Sequence, residues 1–295
     1  MNITKAREER PVLAVTLMLL AFLSFIFIDV SAKWLAGAEF DPLQIALTRY
    51  AGHLIICLIL FLPVEGRSAL RSNAPKLQAL RAIFLLLSTI CNFVAVKYLP
   101  LTVTVPIMFA SPLVVCLVSI PVLGEKVGIR RLAAVFVGFL GVLIIADPGG
   151  AQFHWAMMFS VAALLNASGY FVLTRMIAGV DNNPVSQIYA SGVATLILLP
   201  LGIAVWQWPD NLTDTVVMIC IGLFGAFGHS LLTVAHRFAP ASTLAPLVYV
   251  QILYVTILSW LVFGQAPTSA TILGASVIIG SGFYIWLRER RVKTP

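Results

Sequence analysis

Apolar residues dominate this chain in long unbroken runs, at roughly 12–34, 43–63, 82–99, 101–123, 130–146, 152–176, 185–206, 215–235, 242–263 and 269–288, joined by short polar stretches. A helix that crosses a bilayer needs roughly 20 apolar residues, and most of these runs are near that length. Barrel strands alternate over about 9–11 residues, which continuous runs do not do. The pattern predicts an all-α integral membrane protein with ten transmembrane helices. The first run follows Lys5, Arg7 and Arg10 and precedes Ala36-Gly37-Ala38, an arrangement that a secretory leader also shows. Its length, and the interruption by Asp29 and Lys33, favour a retained helix.

Composition agrees. The 295 residues are 60% hydrophobic and only 11% charged, with a mean hydropathy of +0.99. A soluble domain carries roughly 45–50% apolar and about 25% charged residues. A soluble enzyme, a disordered segment and a nucleic-acid binder are thereby excluded, and the lipid bilayer is the expected partner. Cys57, Cys91, Cys116 and Cys220 all fall inside apolar runs without metal-ligand spacing, so neither a disulfide framework nor a metal site is expected.

The net charge of +7 has a topological explanation. With a cytoplasmic N-terminus, only Lys33 and Lys97 of the 19 basic residues fall outside and Arg49 lies within the second run, leaving the other sixteen on the inner side. Basic residues accumulate in cytoplasmic loops. A multi-pass protein of the inner membrane with both termini cytoplasmic is expected.

The two halves resemble each other. A shift of 140 positions lays 97–126 on 237–266 without a gap: Pro100 meets Pro240, Pro106 meets Pro246, Ser119 meets Ser259 and Gly124 meets Gly264. Upstream, with a shift of 142, Lys33 to Gly37 meets Arg175 to Gly179 and Pro42 meets Pro184. Five helices per half send the second half into the membrane from the opposite side. Domains at 1–148 and 149–295, related as inverted repeats, are the expectation, and secondary transporters use that architecture for alternating access around a midplane site.

The segment Ala95 to Pro106, continuing through Ser111-Pro112-Leu113 to Leu123-Gly124-Glu125-Lys126-Val127, resembles the fourth helix of the EamA repeat in the drug/metabolite transporter superfamily. The second copy runs from Ala239 to Pro246, then Tyr249 to Leu253 and Phe263-Gly264-Gln265, with Gln265 where the family often has Glu. The ending Gly280 to Glu289 is similar to the family's closing pattern. The resemblance implies two inverted five-helix EamA repeats, with helices 5 and 10 as outer scaffolds and the rest around a central cavity. Asp29 to Lys33 and Tyr249 to Gln251 are most similar to a branch that includes bacterial riboflavin and S-adenosylmethionine uptake proteins.

Polar residues inside the runs are the candidates for substrate binding, because a centred charge costs about 2.5–3.5 kcal/mol on insertion scales. Asp29 and Arg49 lie on consecutive helices, both roughly 10 Å below the outer boundary at 1.5 Å per residue. That permits an ion pair, either a structural bridge or part of a substrate site. His53 is one turn from Arg49, and His229 sits mid-depth in its helix. Asn92 and Asn166 are amides able to bind a heteroaromatic ligand or to join helices. Tyr249, Gln251 and Tyr254 follow Pro246, which removes a backbone hydrogen bond and opens the helix locally, as Pro106 does in its own. Gly222, Gly225 and Gly228 make a small-residue face for close packing.

Competing functions lack their motifs. There is no GxxxxGK[ST] for a pump and no HExxH for a metalloenzyme, and Asp29 is the only clear carboxylate within a run, which leaves an aspartyl enzyme without its pair. The expected function is secondary transport of a small-molecule substrate, without a cofactor and without enzymatic activity. A channel or structural scaffold is the remote alternative, and a homodimer is left open. If Asp29 and Arg49 neutralise each other, the remaining amides and aromatics suit a neutral planar heterocycle, so riboflavin uptake is the first expectation. An S-adenosylmethionine, amino-acid or other metabolite carrier is the alternative. An amino acid would need the two charges apart.

Overall fold

The structure, a computed structural model, describes residues 10–123, 128–147, 153–177, 179–238 and 244–292. The Gly124–Val127 end of the first family motif, residues 239–243 of the second copy, and the basic residues Lys5, Arg7, Lys126 and Lys293 lie outside the described residues. The architecture is all-helical: α1 (Pro11–Gly37), α2 (Pro42–Glu65), α3 (Pro75–Tyr98), α4 (Leu101–Met108), α5 (Ser111–Leu123), α6 (Ile129–Ala146), α7 (Met157–Ile177), α8 (Asn183–Ala204), α9 (Leu212–Phe238), α10 (Gln251–Phe263) and α11 (Ser269–Val292). Short 3₁₀ turns occupy Gly66–Leu70 and Ala245–Val250.

Among the described residues, seven helices are long and apolar enough to cross a membrane, with α4 and α5 counted as one span. Three shorter apolar stretches lie in α6, in the 3₁₀ turn with α10, and in α11. The exposed side chains suit lipid: Ile59, Phe136, Leu196, Ile219, Trp260 and Leu273 are all more than half exposed although large and apolar. The helix starts carry their signatures. Asp41 caps α2 by accepting the Leu43 amide at 2.8 Å, Asn182 caps α8 through the Val185 amide at 3.1 Å, and proline stands in the first turn of both.

Both prolines expected to open helices sit where the regular ladder changes. After Pro106 the chain tightens into 3₁₀-type bonds, Phe109 to Pro106 and Ala110 to Ile107, and α4 ends before α5 begins. Pro246 falls in the first turn of the 3₁₀ segment that precedes α10. A missing amide donor and the ring's steric demand account for both breaks. α3 begins seven residues ahead of the apolar run, because Pro75 starts a helix that takes Lys76, Gln78 and Arg81 with it.

The chain divides into two compact units, each assembled from both halves of the sequence. One comprises 27–99 and 158–227, the other 1–26, 100–157 and 228–295. In the first unit α2 packs on α8 and α3 packs on both. Gly52 of α2 and Gly222 of α9 meet backbone to backbone, with room for no side chain at either. Gly225, one turn on, lies against His53. In the second unit α6 packs along α11, and α4 packs on α10 and α11. There Gly141 and Gly274 form the crossing, and the Ser281 hydroxyl donates to the Ala134 carbonyl. Gly228 gives space to Ser24 and Phe25 in the same unit.

Candidate substrate site within the membrane helices

The candidate residues fall into two groups. Asp29, Arg49, His53, Asn92 and Asn166 belong to the first unit, and His229, Tyr249, Gln251 and Tyr254 to the second.

In the first unit the direct ion pair between Asp29 and Arg49 does not form. Instead α3 supplies each charge with its own neutral partner. The Asn92 amide donates to Asp29 Oδ1 at 2.9 Å, and Arg49 Nη1 donates to Thr89 Oγ1 at 2.9 Å. Thr89 and Asn92 are three residues apart and so share one face of α3. Arg49 still acts on Asp29 through its field. Counting along the helices assigns the two residues one depth, but depth alone does not say what lies sideways between two helices.

The chain of hydroxyls behind Arg49 has a definite direction. The Tyr50 hydroxyl donates to the Leu85 carbonyl at 3.2 Å, and each hydroxyl has one proton to give. At the 2.8 Å contact between them, Thr89 therefore donates to Tyr50. Thr89 is left to accept from Arg49. The guanidinium carbon also lies 4.5 Å from the centre of the Tyr50 ring. Arg49 and Tyr50 are only 6% and 1% exposed, which makes this an interior arrangement. His53, 3% exposed, bonds to Gln187 of α8. Asn166 turns back on its own helix, donating to the Ala162 carbonyl at 2.8 Å.

Sequence reasoning missed a second buried arginine. Arg81, counted among the inner loop charges, is 5% exposed in α3 and ties it to α7 and α8. Its Nε donates to Thr174 at 2.8 Å, Nη1 to Gln78 and to the Ser186 carbonyl, and Nη2 to the Tyr170 hydroxyl at 2.9 Å. The one available signal was Pro75, which starts the helix early enough to carry Arg81 inside. Nearby, Asp181 holds the loop before α3: its carboxylate accepts from the Ser72 hydroxyl, the Asn73 amides and Gln78. Desolvation pushes its pKa up, but these hydrogen bonds outweigh it and hold the carboxyl below the usual range.

The second unit's candidates are aromatic and polar groups set among apolar neighbours. His229 lies against Phe25, ring centres 5.0 Å apart. Tyr249 meets Phe109 edge-on at 6.0 Å, and its hydroxyl occupies the space a side chain on Gly282 would take. Gln251 donates to the Val248 carbonyl at 3.2 Å. Tyr254 packs against the cluster of Ala14, Met18, Phe22, Ala235 and Leu244. Gly282 gives the closing pattern a packing role that its sequence did not disclose.

Helices of this length and surface, with charged groups enclosed among them, define a multi-pass membrane protein. The sequence model of the EamA-like transporter family matches residues 12–146 and again 154–287. The chain belongs to that family. It is 23% identical over 264 residues to an S-adenosylmethionine uptake transporter of Rickettsia prowazekii, covering 89% of this chain and 88% of the relative. It is 26% identical over 281 residues to a riboflavin transporter of Vibrio cholerae, covering 94% of each. One crystal structure superposes with a TM-score of 0.65 at 17% identity, over 95% of this chain and 99% of that one, a likeness of fold.

Proposed function

We propose that the chain is a secondary transporter of the bacterial inner membrane that carries a small organic metabolite by alternating access between two inverted five-helix repeats, residues 1–148 and 149–295. The carrying observation is the double family match along the two halves of the chain. Ten spans with both termini cytoplasmic follow from the runs and from the basic residues of the inner loops. The substrate-binding residues of this reading are Asp29, Arg49, His53, Asn92, Asn166, His229, Tyr249, Gln251 and Tyr254.

Two substrate readings stand. Riboflavin uptake is supported by the name of the Vibrio relative and by the amides and aromatic rings among the candidates. Carriage of S-adenosylmethionine or an amino acid is favoured by one observation: Asp29 and Arg49 do not neutralise each other directly. Purified protein in sealed vesicles, loaded against labelled riboflavin, S-adenosylmethionine and an amino-acid mixture, tests the transporter reading. Saturable accumulation of one of them supports it, and an unsaturable leak of all solutes marks a pore instead.

A further inference from the structure

We infer that Arg49 and Asp29 together bind the α-amino-acid head of the transported molecule, its carboxylate at Arg49 and its ammonium at Asp29. The inference rests on the transporter reading and deepens it.

A guanidinium has five N–H donors, and Arg49 spends one of them, on Thr89. Nε is enclosed and has no hydrogen-bond partner among the described residues. Because Nη1 faces Thr89, the edge left over is the Nε–Nη2 edge, which presents two parallel donors to a carboxylate. Nε lies out of contact with solvent, so a carboxylate gains that edge only in the part of an alternating-access cycle that opens it. A buried cation served by one neutral hydroxyl and one ring face is costly to maintain, and a substrate anion offsets that cost.

Asp29 supplies the complement. Oδ1 is committed to Asn92, and Oδ2 carries no hydrogen bond from the described residues. The carboxylate is near enough for Arg49's charge to act on it, yet α3 keeps the two from collapsing into a pair. An anion alone, such as a phosphate, would be drawn to Arg49 and repelled by Asp29. A neutral heterocycle would leave both charges unserved. A ligand that carries an ammonium and a carboxylate on one carbon satisfies both at once, and an α-amino acid is that ligand. Thr89 and Asn92 are positioning residues in this scheme. They hold the two charges apart at a fixed spacing on one face of α3.

The test measures thermal stabilisation of the purified protein by S-adenosylmethionine and by each of the twenty common α-amino acids. Any compound that stabilises is compared with the amine left when its carboxylate is removed. Riboflavin is run alongside. At least one acid is expected to bind, its decarboxylated form roughly tenfold to a hundredfold more weakly. Arg49→Gln should abolish that difference, binding acid and amine alike, which a merely structural loss would not do. Arg49→Lys, which keeps the charge, guards against a variant that fails to fold and should retain part of the preference. The inference is overturned if no acid stabilises the protein, if acid and amine bind equally to the parent, or if folded Arg49→Gln keeps the parent's preference. Riboflavin accumulation in vesicles with no acid bound overturns this inference and leaves the transporter standing. Acid binding with no vesicle uptake does the reverse.

Discussion

Two glycines on α11 and one on α6 offer a sharp test of how the helices are held, because the same substitution has opposite expected signs within two turns of α11. A methyl group added at Gly274 would stand 2.5 Å from the Gly141 carbonyl oxygen, and one at Gly141 would stand 2.7 Å from the Gly274 oxygen. Ordinary contact begins near 3.4 Å, so the shortfalls are about 0.9 and 0.7 Å. The obstructing atoms are backbone and cannot swing aside. α6 and α11 must separate along a packed interface, and overpacking of this kind costs about 1–3 kcal/mol. Gly280, six residues on, has nothing within 4 Å of its added methyl group. Gly280→Ala therefore carries only the helix-propensity gain, about 0.8–1.0 kcal/mol in favour of alanine. Once one methyl group has forced the helices apart, the second meets less resistance, so Gly141→Ala with Gly274→Ala should cost less than the two separately. The assay is thermal unfolding of each purified variant in one detergent, followed by tryptophan fluorescence. If Gly274→Ala unfolds at or above the parent's temperature, the close crossing of α6 and α11 is wrong.

Other outcomes follow from the same structure. Asp29→Asn should lower stability or transport more than Asn92→Ala does, because it leaves Arg49 buried with no carboxylate near it, and uptake and melting of the two variants check this. Arg81→Met should cost about 1–3 kcal/mol in detergent melting, since the Tyr170 hydroxyl, Gln78 and the Ser186 carbonyl lose a donor while the buried charge's own desolvation cost disappears. The Asp181 carboxyl sits below its usual range in the folded protein, so its stabilising effect is present above the ordinary carboxyl pKa and is lost as pH falls through the folded value; melting from pH 7 to pH 3 should show a smaller drop in Asp181→Asn than in the parent. A single cysteine placed at Pro295 in an otherwise cysteine-free protein should resist an impermeant thiol reagent in intact cells, and labelling there would reject the cytoplasmic terminus.

The helical class was legible because continuous apolar runs have one stable form in lipid, and the repeat was legible because prolines recur at fixed offsets. An expected depth for Asp29 and Arg49 could also be counted along the chain. What could not be counted was lateral position. Thr89 and Asn92 come between the two charges only because α3 packs beside them, and nothing in the spacing of residues 29 and 49 reveals a third helix. Arg81 shows the opposite difficulty: a basic residue just ahead of an apolar run looks like a loop charge until partners on α7 and α8 enclose it. Gly282 needed Tyr249, more than thirty residues away, before its role became visible.

The composition of the compact units bears on how the protein is made. The chain passes from one unit to the other at 26–27, 99–100, 157–158 and 227–228, so neither is finished until the second half has been synthesised. The first half reaches the membrane with Gln44 awaiting Gln207, Arg81 awaiting Thr174 and Tyr170, and Ser72 awaiting Asp181. Until the ribosome delivers those partners, these groups need water, lipid headgroups or an insertion factor to accommodate them. A gene cut between residues 147 and 153 would yield two fragments that are incomplete alone, each carrying the partners the other lacks. The halves of the sequence are thus what repeats, whereas the compact units of the structure are drawn from both.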